Sequence, residues 1–498
     1  MIADWLTDLA YYGALGVAWP FLLLKRRRTG KYRGEWGQRL GKVDGAALEK
    51  ALGHLGTEAL REKALGHNGT EARREVGGGG VRRVMIHCVS VGELLSVRAL
   101  IDALRQRDPA LQIVVTTTTD TGTARARELF ANTPGMAALR YPLDLSWSVA
   151  RFLDVVQPTL VLLVELETWP NFLRAATRRK IPVVIINGRL TERSFKRYKL
   201  IRPIMRGMLR RLTWMGIQTE AIAARFVALG AERDKIEVIP TLKYDAAASG
   251  PVPGTAALAR ALGITVDMSE DECHASDRSQ QHAENQPTPP DEKIPLPILT
   301  ANPPLLVAGS TGPGEETIVL DAFLEVRKKF PTTRLAIAPR KPESVPLALE
   351  AIRARNLTAL QRTAYPDATA TPAAPSPDAI IVLDTLGELR KLYALATAVF
   401  VGRSLIPLGG SDMIEVAALG KPICVGPHTT NFAEVIETLA AADAISVVTD
   451  QHDLAAVWLN WLTNPATATN AGQRGKDAID TRRGAAIKYQ TKIAALRD

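Results

Sequence analysis

Cysteine is scarce: Cys88, Cys273 and Cys424 are the three in 498 residues, far apart, with no CxxC pair and no zinc-like spacing. That excludes a disulfide scaffold and a structural zinc site, and it points to a reducing compartment. Cys88 and Cys424 sit in apolar runs and read as small buried hydrophobes. A secretory signal is not expected, because the residues ahead of the first apolar run carry Asp4 and no Lys or Arg. No basic module interleaved with aromatics accompanies the formal net charge of +10, so nucleic acid is not an expected partner. Nor is there a true repeat array. Ala51 to Lys63 (ALGHLGTEALREK) is echoed once by Ala64 to Val76 (ALGHNGTEARREV), too few copies for a solenoid, and reads as a duplicated surface insertion. His54 and His67 recur at the repeat distance with no further ligand-type residues beside them, so no metal site is expected there.

What is present begins with a mostly apolar run, Trp5 to Leu24, followed at once by Lys25, Arg26, Arg27, Arg28, Lys31 and Arg33. The run is just long enough to cross a bilayer if Asp8 lies near one interface, and the basic flank would then keep the rest of the chain cytoplasmic. A monotopic amphipathic helix is the alternative, since tyrosines, tryptophans and Pro20 interrupt the run. Either arrangement holds the globular part on the cytoplasmic face, beside anionic lipids.

The remaining chain alternates short apolar segments with helix-like stretches. Val84 to Val91, Gln112 to Thr117, Leu160 to Val164, Val183 to Asn187 and Trp214 to Gln218 form one series. Leu305 to Ala308, Leu335 to Ala338, Ile380 to Leu383, Val399 to Gly402 and Pro422 to Gly426 form a second. This rhythm predicts two α/β, Rossmann-like domains with parallel, doubly wound sheets. Between them, Met268 to Pro304 is acidic, Gln/Pro-rich and poor in apolar residues, a linker or insertion. Thr363 to Ser376 reads as a smaller loop expansion.

Candidate chemistry gathers at the ends of these strands. Gly409 and Gly410 form a loop that can bring backbone N–H groups close to an anion, Ser411 or Asp412 caps the next helix, and Glu415 lies in its first turn. His428 and Asn431 follow the next strand, on the same sheet edge, where open α/β folds place ligands. The spacing of Asp412 and Glu415 equally fits a capping box that touches no ligand. In the first half, Ser90, Gly92 and Glu93 end a strand. Glu93 is placed for a general base, while Ser90 and Glu93 also fit a capping box. Thr118 and Thr119 lie in the hydroxyl-rich TTTTDTG, Glu167 ends another strand with Glu165 and Trp169, and Arg189 and Arg193 stand in a basic stretch suited to phosphates or sugar carboxylates. A solvated helix face is the plain alternative for those arginines. A nucleotide-sugar transferase is the leading reading.

Taken together, HCVSVGE, TTTTDTG, VELETWPN, NGRLTERS, QTEAIAARFVALGA, TLKYD, AGSTGPGEE, APRKPE, DTLGELRKLYALATAVFVG, GGSDMIEVAALGKP and GPHTTNFAE, preceded by RGEWGQRLG, resemble in content and order the bacterial 3-deoxy-D-manno-octulosonic acid (Kdo) transferases. The resemblance implies a GT-B fold, two Rossmann-like domains facing across a cleft behind an N-terminal anchor helix. The domains would be an anchor and basic flank over 1–30, an acceptor domain over 31–245 with the insertion at about 45–80, a linker over 246–304 and a donor domain over 305–498. It implies inverting transfer of Kdo from CMP-Kdo to a lipid A precursor at the inner membrane, with no metal and no cofactor beyond the donor substrate. Glu93 matches the catalytic base. Ser310, Thr311, Arg340, Lys243, Gly409, Gly410, Ser411, Asp412, Glu415, His428 and Asn431 match donor-binding positions, and Ser90, Gly92, Thr118, Thr119, Glu167, Arg189 and Arg193 fall on the acceptor side. The chain departs from the family pattern at Thr241, Gly312, Lys341, Arg403, Ser411 and Asp412. Another membrane-associated GT-B transferase, or an inactive sugar-nucleotide-binding protein, is the competing reading.

Overall fold

The computed structural model describes residues 4–5, 7–13, 35–53, 82–131, 133–247, 250, 252–266, 301–365 and 378–497. Most of the run Trp5–Leu24, both copies of the duplication beyond residue 53, the acidic stretch with Cys273 and most of the loop 363–376 lie outside them. The chain divides into two units, Met1–Ala246 with Arg483–Asp498, and Ala247–Arg482.

The first unit carries seven parallel strands: β1 (Arg83–Cys88), β2 (Gln112–Thr117), β3 (Met136–Arg140), β4 (Leu160–Val164), β5 (Val183–Gly188), β6 (Trp214–Ile217) and β7 (Ile236–Val238), in the order β3-β2-β1-β4-β5-β6-β7. All residues of β1, β2, β4 and β5 are buried, as expected for strands covered by helices on both faces. One face packs Phe152, Phe172, Met215 and Phe226, and the other Leu100, Leu104 and Trp214. The helix Gly45–Leu52 buries Leu48 and Leu52 in the first of these cores, so residues 45–52, read from sequence as the start of an insertion, belong to the fold.

The second unit repeats the plan with β8 (Leu305–Thr311), β9 (Arg334–Pro339), β10 (Ala359–Gln361), β11 (Ile380–Val382), β12 (Ala398–Val401), β13 (Ile423–Val425) and β14 (Ile445–Val447), in the order β10-β11-β9-β8-β12-β13-β14. Part of the segment assigned to the linker is folded here: the helix Thr255–Ala261 buries Leu258 and Ala259, and Arg334 donates to the carbonyls of Leu262 and Gly263. Residues 483–498, assigned from sequence to the donor half, fall in the first unit instead. Each sheet reverses its strand order once, between β1 and β4 and between β8 and β12. A reversal leaves a crevice at the carboxyl ends of the strands.

Among the described residues no helix is long and apolar enough to cross a membrane. The start of the apolar run is helical and bound to protein. Asp8 accepts from Ser146 N at 2.9 Å and from Asn171 Nδ2 at 2.8 Å, Asp4 accepts from Arg174 Nε at 2.6 Å, and Tyr11 Oη donates to Asp144 at 2.9 Å. Asp8, expected near a lipid interface, is buried against the first unit.

Candidate functional site

At the β1/β4 reversal, Ser90 caps the helix Val91–Ser96 and its hydroxyl donates to Glu93 Oε1 at 3.0 Å, while Val89 N donates to Oε2 at 2.7 Å. The capping geometry is therefore formed. It does not occupy every lone pair of the carboxylate, and Glu93 is only half-buried. Burial raises its pKa and the charge of Glu165 adds to that, whereas the Val89 and Ser90 bonds and the nearby Lys243 lower it. Glu165 and Glu167 leave the end of β4, Glu165 at φ 62°. Glu167 is pushed up to about 7, by burial first and then by the charges of Glu93 and Glu165. Burial and neighbouring negative charge thus raise both Glu93 and Glu167. Gly92 is exposed, and a Cβ there would meet nothing closer than Ser90 Oγ at 3.9 Å.

The loop after β2 is fixed by its own hydroxyls. Thr119 Oγ1 accepts from Gly122 N at 3.1 Å and donates to Val89 O at 3.1 Å, so it braces the residue whose N–H holds Glu93. The Thr118 carbonyl accepts from Arg140 Nη1 at 3.1 Å. RGEWGQRLG explains that brace: Glu35 and Gln38 bond Arg140, and Arg39 and Arg140 both pair with Asp120. Arg193 lies on the helix Glu192–Leu200, none of whose residues is buried, the arrangement of a solvated face. Arg189, just past β5, is half-buried.

At the β8/β12 reversal, Ser310 (φ 55°) and Thr311 are buried, and Arg340 follows β9 with its backbone N bonded to Thr311 O at 3.0 Å. Gly409 and Gly410 have φ 83° and 81°, which only glycine adopts without strain, and Gly410 N donates to Arg403 O at 2.7 Å. Ser411 Oγ donates to Ser310 O at 3.3 Å, joining this loop to β8. The helix Ile414–Ala418 has Met413 at its N-cap, with no side-chain cap, in place of the expected Ser411 or Asp412; Asp412 instead accepts from Ile414 N at 3.0 Å. Glu415 keeps contact with solvent, yet the partial desolvation of its carboxyl raises its pKa, the charge of Asp412 adds to the rise, and Arg390 and Arg340 oppose it. His428 N donates to Ser404 O, and Asn431 N to Gly409 O. The structure thus groups Ser310, Thr311, Arg340, Gly409 to Asp412, Glu415, His428 and Asn431 around one reversal, and Lys243 with Glu93 in the other unit.

Sequence reading missed Glu315, Ser404, Arg390 and Tyr393 in this group. Glu315 begins a helix, where an acid is ordinary and gives no signal of its own. Tyr393 is visible only through packing, because a Cβ on Gly309 would lie 2.1 Å from its hydroxyl. Among the described residues no group of three or more His, Cys, Asp or Glu is arranged to hold a metal ion.

Two doubly wound parallel sheets, each with candidate site residues at its order reversal, define a two-unit α/β protein resembling the GT-B glycosyltransferases. A glycosyltransferase from Rickettsia africae shares the fold, with TM-score 0.51 and 10% identity over 84% of this chain and 99% of that one. Residues 35–246 match the family model for 3-deoxy-D-manno-octulosonic-acid transferase. Transferases of that name from Haemophilus influenzae and Bordetella pertussis are 27% and 29% identical, over 81% and 80% of this chain and 84% and 86% of theirs. Residues 35–246 thus match a Kdo transferase domain, and the chain is similar to Kdo transferases over about four fifths of its length.

Proposed function

We propose that the protein transfers Kdo from CMP-Kdo to a lipid A precursor in lipopolysaccharide biosynthesis, in the GT-B manner. The acceptor hydroxyl oxygen forms a bond to the anomeric carbon as the bond from that carbon to the CMP phosphate oxygen breaks. The hydroxyl proton passes to Glu93, and CMP departs with the electron pair. Attack opposite the leaving group inverts the centre. The observation that carries this reading is Glu93: a half-buried carboxylate at the β1/β4 reversal, held in place by Val89 and Ser90 and close to Lys243.

On this reading Glu415 binds the ribose, and Ser310, Thr311, Arg340 and Lys243 meet the donor's phosphate and carboxylate charge, the task a divalent metal performs elsewhere. Gly409 to Asp412, His428 and Asn431 line the donor, and Ser90, Gly92, Glu167, Arg189 and Arg193 serve the acceptor. Thr118 and Thr119 act there through the backbone they brace. The amino-terminal segment attaches the protein to the cytoplasmic face of the inner membrane. Trp5, Leu9 and Tyr12, 66%, 53% and 51% exposed, support that attachment.

The decisive assay combines purified protein, CMP-Kdo and a tetraacylated lipid A precursor, with Glu93→Ala alongside. Product from the wild type and none from the variant is expected. Equal product from both removes Glu93 from its role, and CMP binding without product in either leaves a binding protein.

A further inference from the structure

The least exposed carboxylate at the β8/β12 reversal has no contact role in the transfer just described. Glu315, fully buried, opens the helix Glu315–Lys329. Its Oε2 accepts from Gly312 N at 2.7 Å and Arg403 N at 2.5 Å, and its Oε1 accepts from Ser404 N and Leu405 N, both at 2.8 Å. Three consecutive N–H groups after β12 therefore converge on one side chain, with Arg403 at φ 60°. Such a nest of N–H groups is a ready anion site. Here the protein fills it with its own carboxylate, so the nest is closed to a ligand phosphate.

What the filled nest does is visible in the bonds that leave it. Arg403 O accepts from Gly410 N at 2.7 Å, and Ser404 O accepts from His428 N at 2.8 Å. Ser404 Oγ accepts from Gly426 N at 2.8 Å and donates to Val401 O at 2.6 Å. The fit is close, since a Cβ on Gly426 would lie 2.2 Å from Ser404 O. The Gly409–Gly410 loop and the turn after β13 hang from Arg403 and Ser404, the loop after β8 is bonded to Glu315 itself, and residues 403–405 take their shape from that carboxylate.

We infer that Glu315 is a positioning residue for the sugar-nucleotide donor, joining the three donor-side loops through the 403–405 nest without touching the donor itself. The inference rests on the donor-site reading above. Replacing the carboxylate by an amide keeps the shape but turns an N–H₂ group toward N–H donors, so the nest must open.

The test is steady-state kinetics with CMP-Kdo and the tetraacylated precursor, plus direct CMP binding, on wild type, Glu315→Gln and Ser404→Ala. Glu315→Gln should raise KM for CMP-Kdo and weaken CMP binding by about tenfold, with the acceptor KM within about twofold of wild type. Ser404→Ala, which cuts one joint only, should show the same split at about threefold. A general loss of folding would move both KM values or lower active protein without a split. Should Glu315→Gln fail to fold, Ser404→Ala decides alone. Wild-type donor KM in the folded variants of a transferring enzyme overturns the positioning role and leaves the donor-site reading standing. A wild type that neither binds CMP nor transfers Kdo overturns both.

Discussion

Glu93 and Glu167 sit in one cluster, and burial raises both, but only Glu93 has a nearby cation to oppose the rise. Glu93 keeps two hydrogen bonds and Lys243 to favour its charge, which suits a proton acceptor, whereas Glu167 is driven up to about 7. Glu93→Gln should lower kcat by about 10²- to 10⁴-fold with CMP affinity unchanged, because only proton removal is lost. Glu167 gives a stability prediction whose sign follows from its raised pKa. The folded protein binds this proton more tightly than the unfolded chain, whose carboxyl titrates near 4.5. Its contribution is therefore fully present below about pH 4.5 and lost as pH rises through about 7, on the order of 3 kcal/mol in all. Unfolding curves of wild type and Glu167→Gln should draw apart in the variant's favour between about pH 5 and 8, and parallel curves would refute the coupling. At this scale the sequence was readable in placement: Glu93 and Glu415 each stand in the first turn of a helix that follows a strand, as expected. It was not readable where the partner is backbone distant in sequence: Glu315 looks like any helix-opening acid until Arg403 to Leu405 fold onto it.

Elements show the same division for a different reason. Every strand interior to either sheet announces itself as an apolar run, because it is covered on both faces and flanked on both sides. The strands that sequence reading missed, β3, β7, β10 and β14, are the outermost of each sheet. They are short or only partly buried: β14 (Ile-Ser-Val) has no fully buried residue, and β7 has one. Edge strands need less apolar surface and so leave a weaker trace. The helix Trp36–Arg39 was legible only as part of a family motif, although its physical role is plain: its flank joins β3 to the loop after β2 through Arg140, whose side chain is 4% exposed. Arg140→Ala should cost about 2 kcal/mol or more, since Glu35 and Asp120 lose a shared partner but retain some solvent. Chemical denaturation measures that loss. The same variant should reduce kcat, because the Thr118–Thr119 brace on Val89 relaxes. A variant with lowered stability and wild-type kcat would separate this element from the Glu93 site.

At the scale of the whole chain, the path leaves the first unit at Ala246 and returns at Arg483, and the return is locked within that unit. Asp245, the penultimate residue before departure, accepts from Gly484 N at 2.6 Å and Ala486 N at 2.7 Å, so both crossings are tied at one carboxylate. The final helix, Ala485–Arg497, then inserts Tyr489 and Ile493 into the core containing Trp214. Tyr489 Oη accepts from Asn187 N at 2.8 Å and donates to Gly216 O at 3.2 Å, bridging β5 and β6. Fully burying such side chains contributes about 1.5–3 kcal/mol each. Tyr489→Phe leaves the buried Asn187 N–H without its acceptor and should cost about 1–3 kcal/mol. Removing residues 483–498 takes away Tyr489, Ile493 and the Asp245 ties together. That loss is comparable with the total stability of a domain, about 5–15 kcal/mol. Calorimetry of the truncated protein should therefore lose the transition of the first unit and retain a second, one that CMP still raises because the loops proposed to bind the donor lie in Ala247–Arg482. If both transitions survive truncation, the terminal helix is an accessory, and its assignment to the first unit's core is wrong.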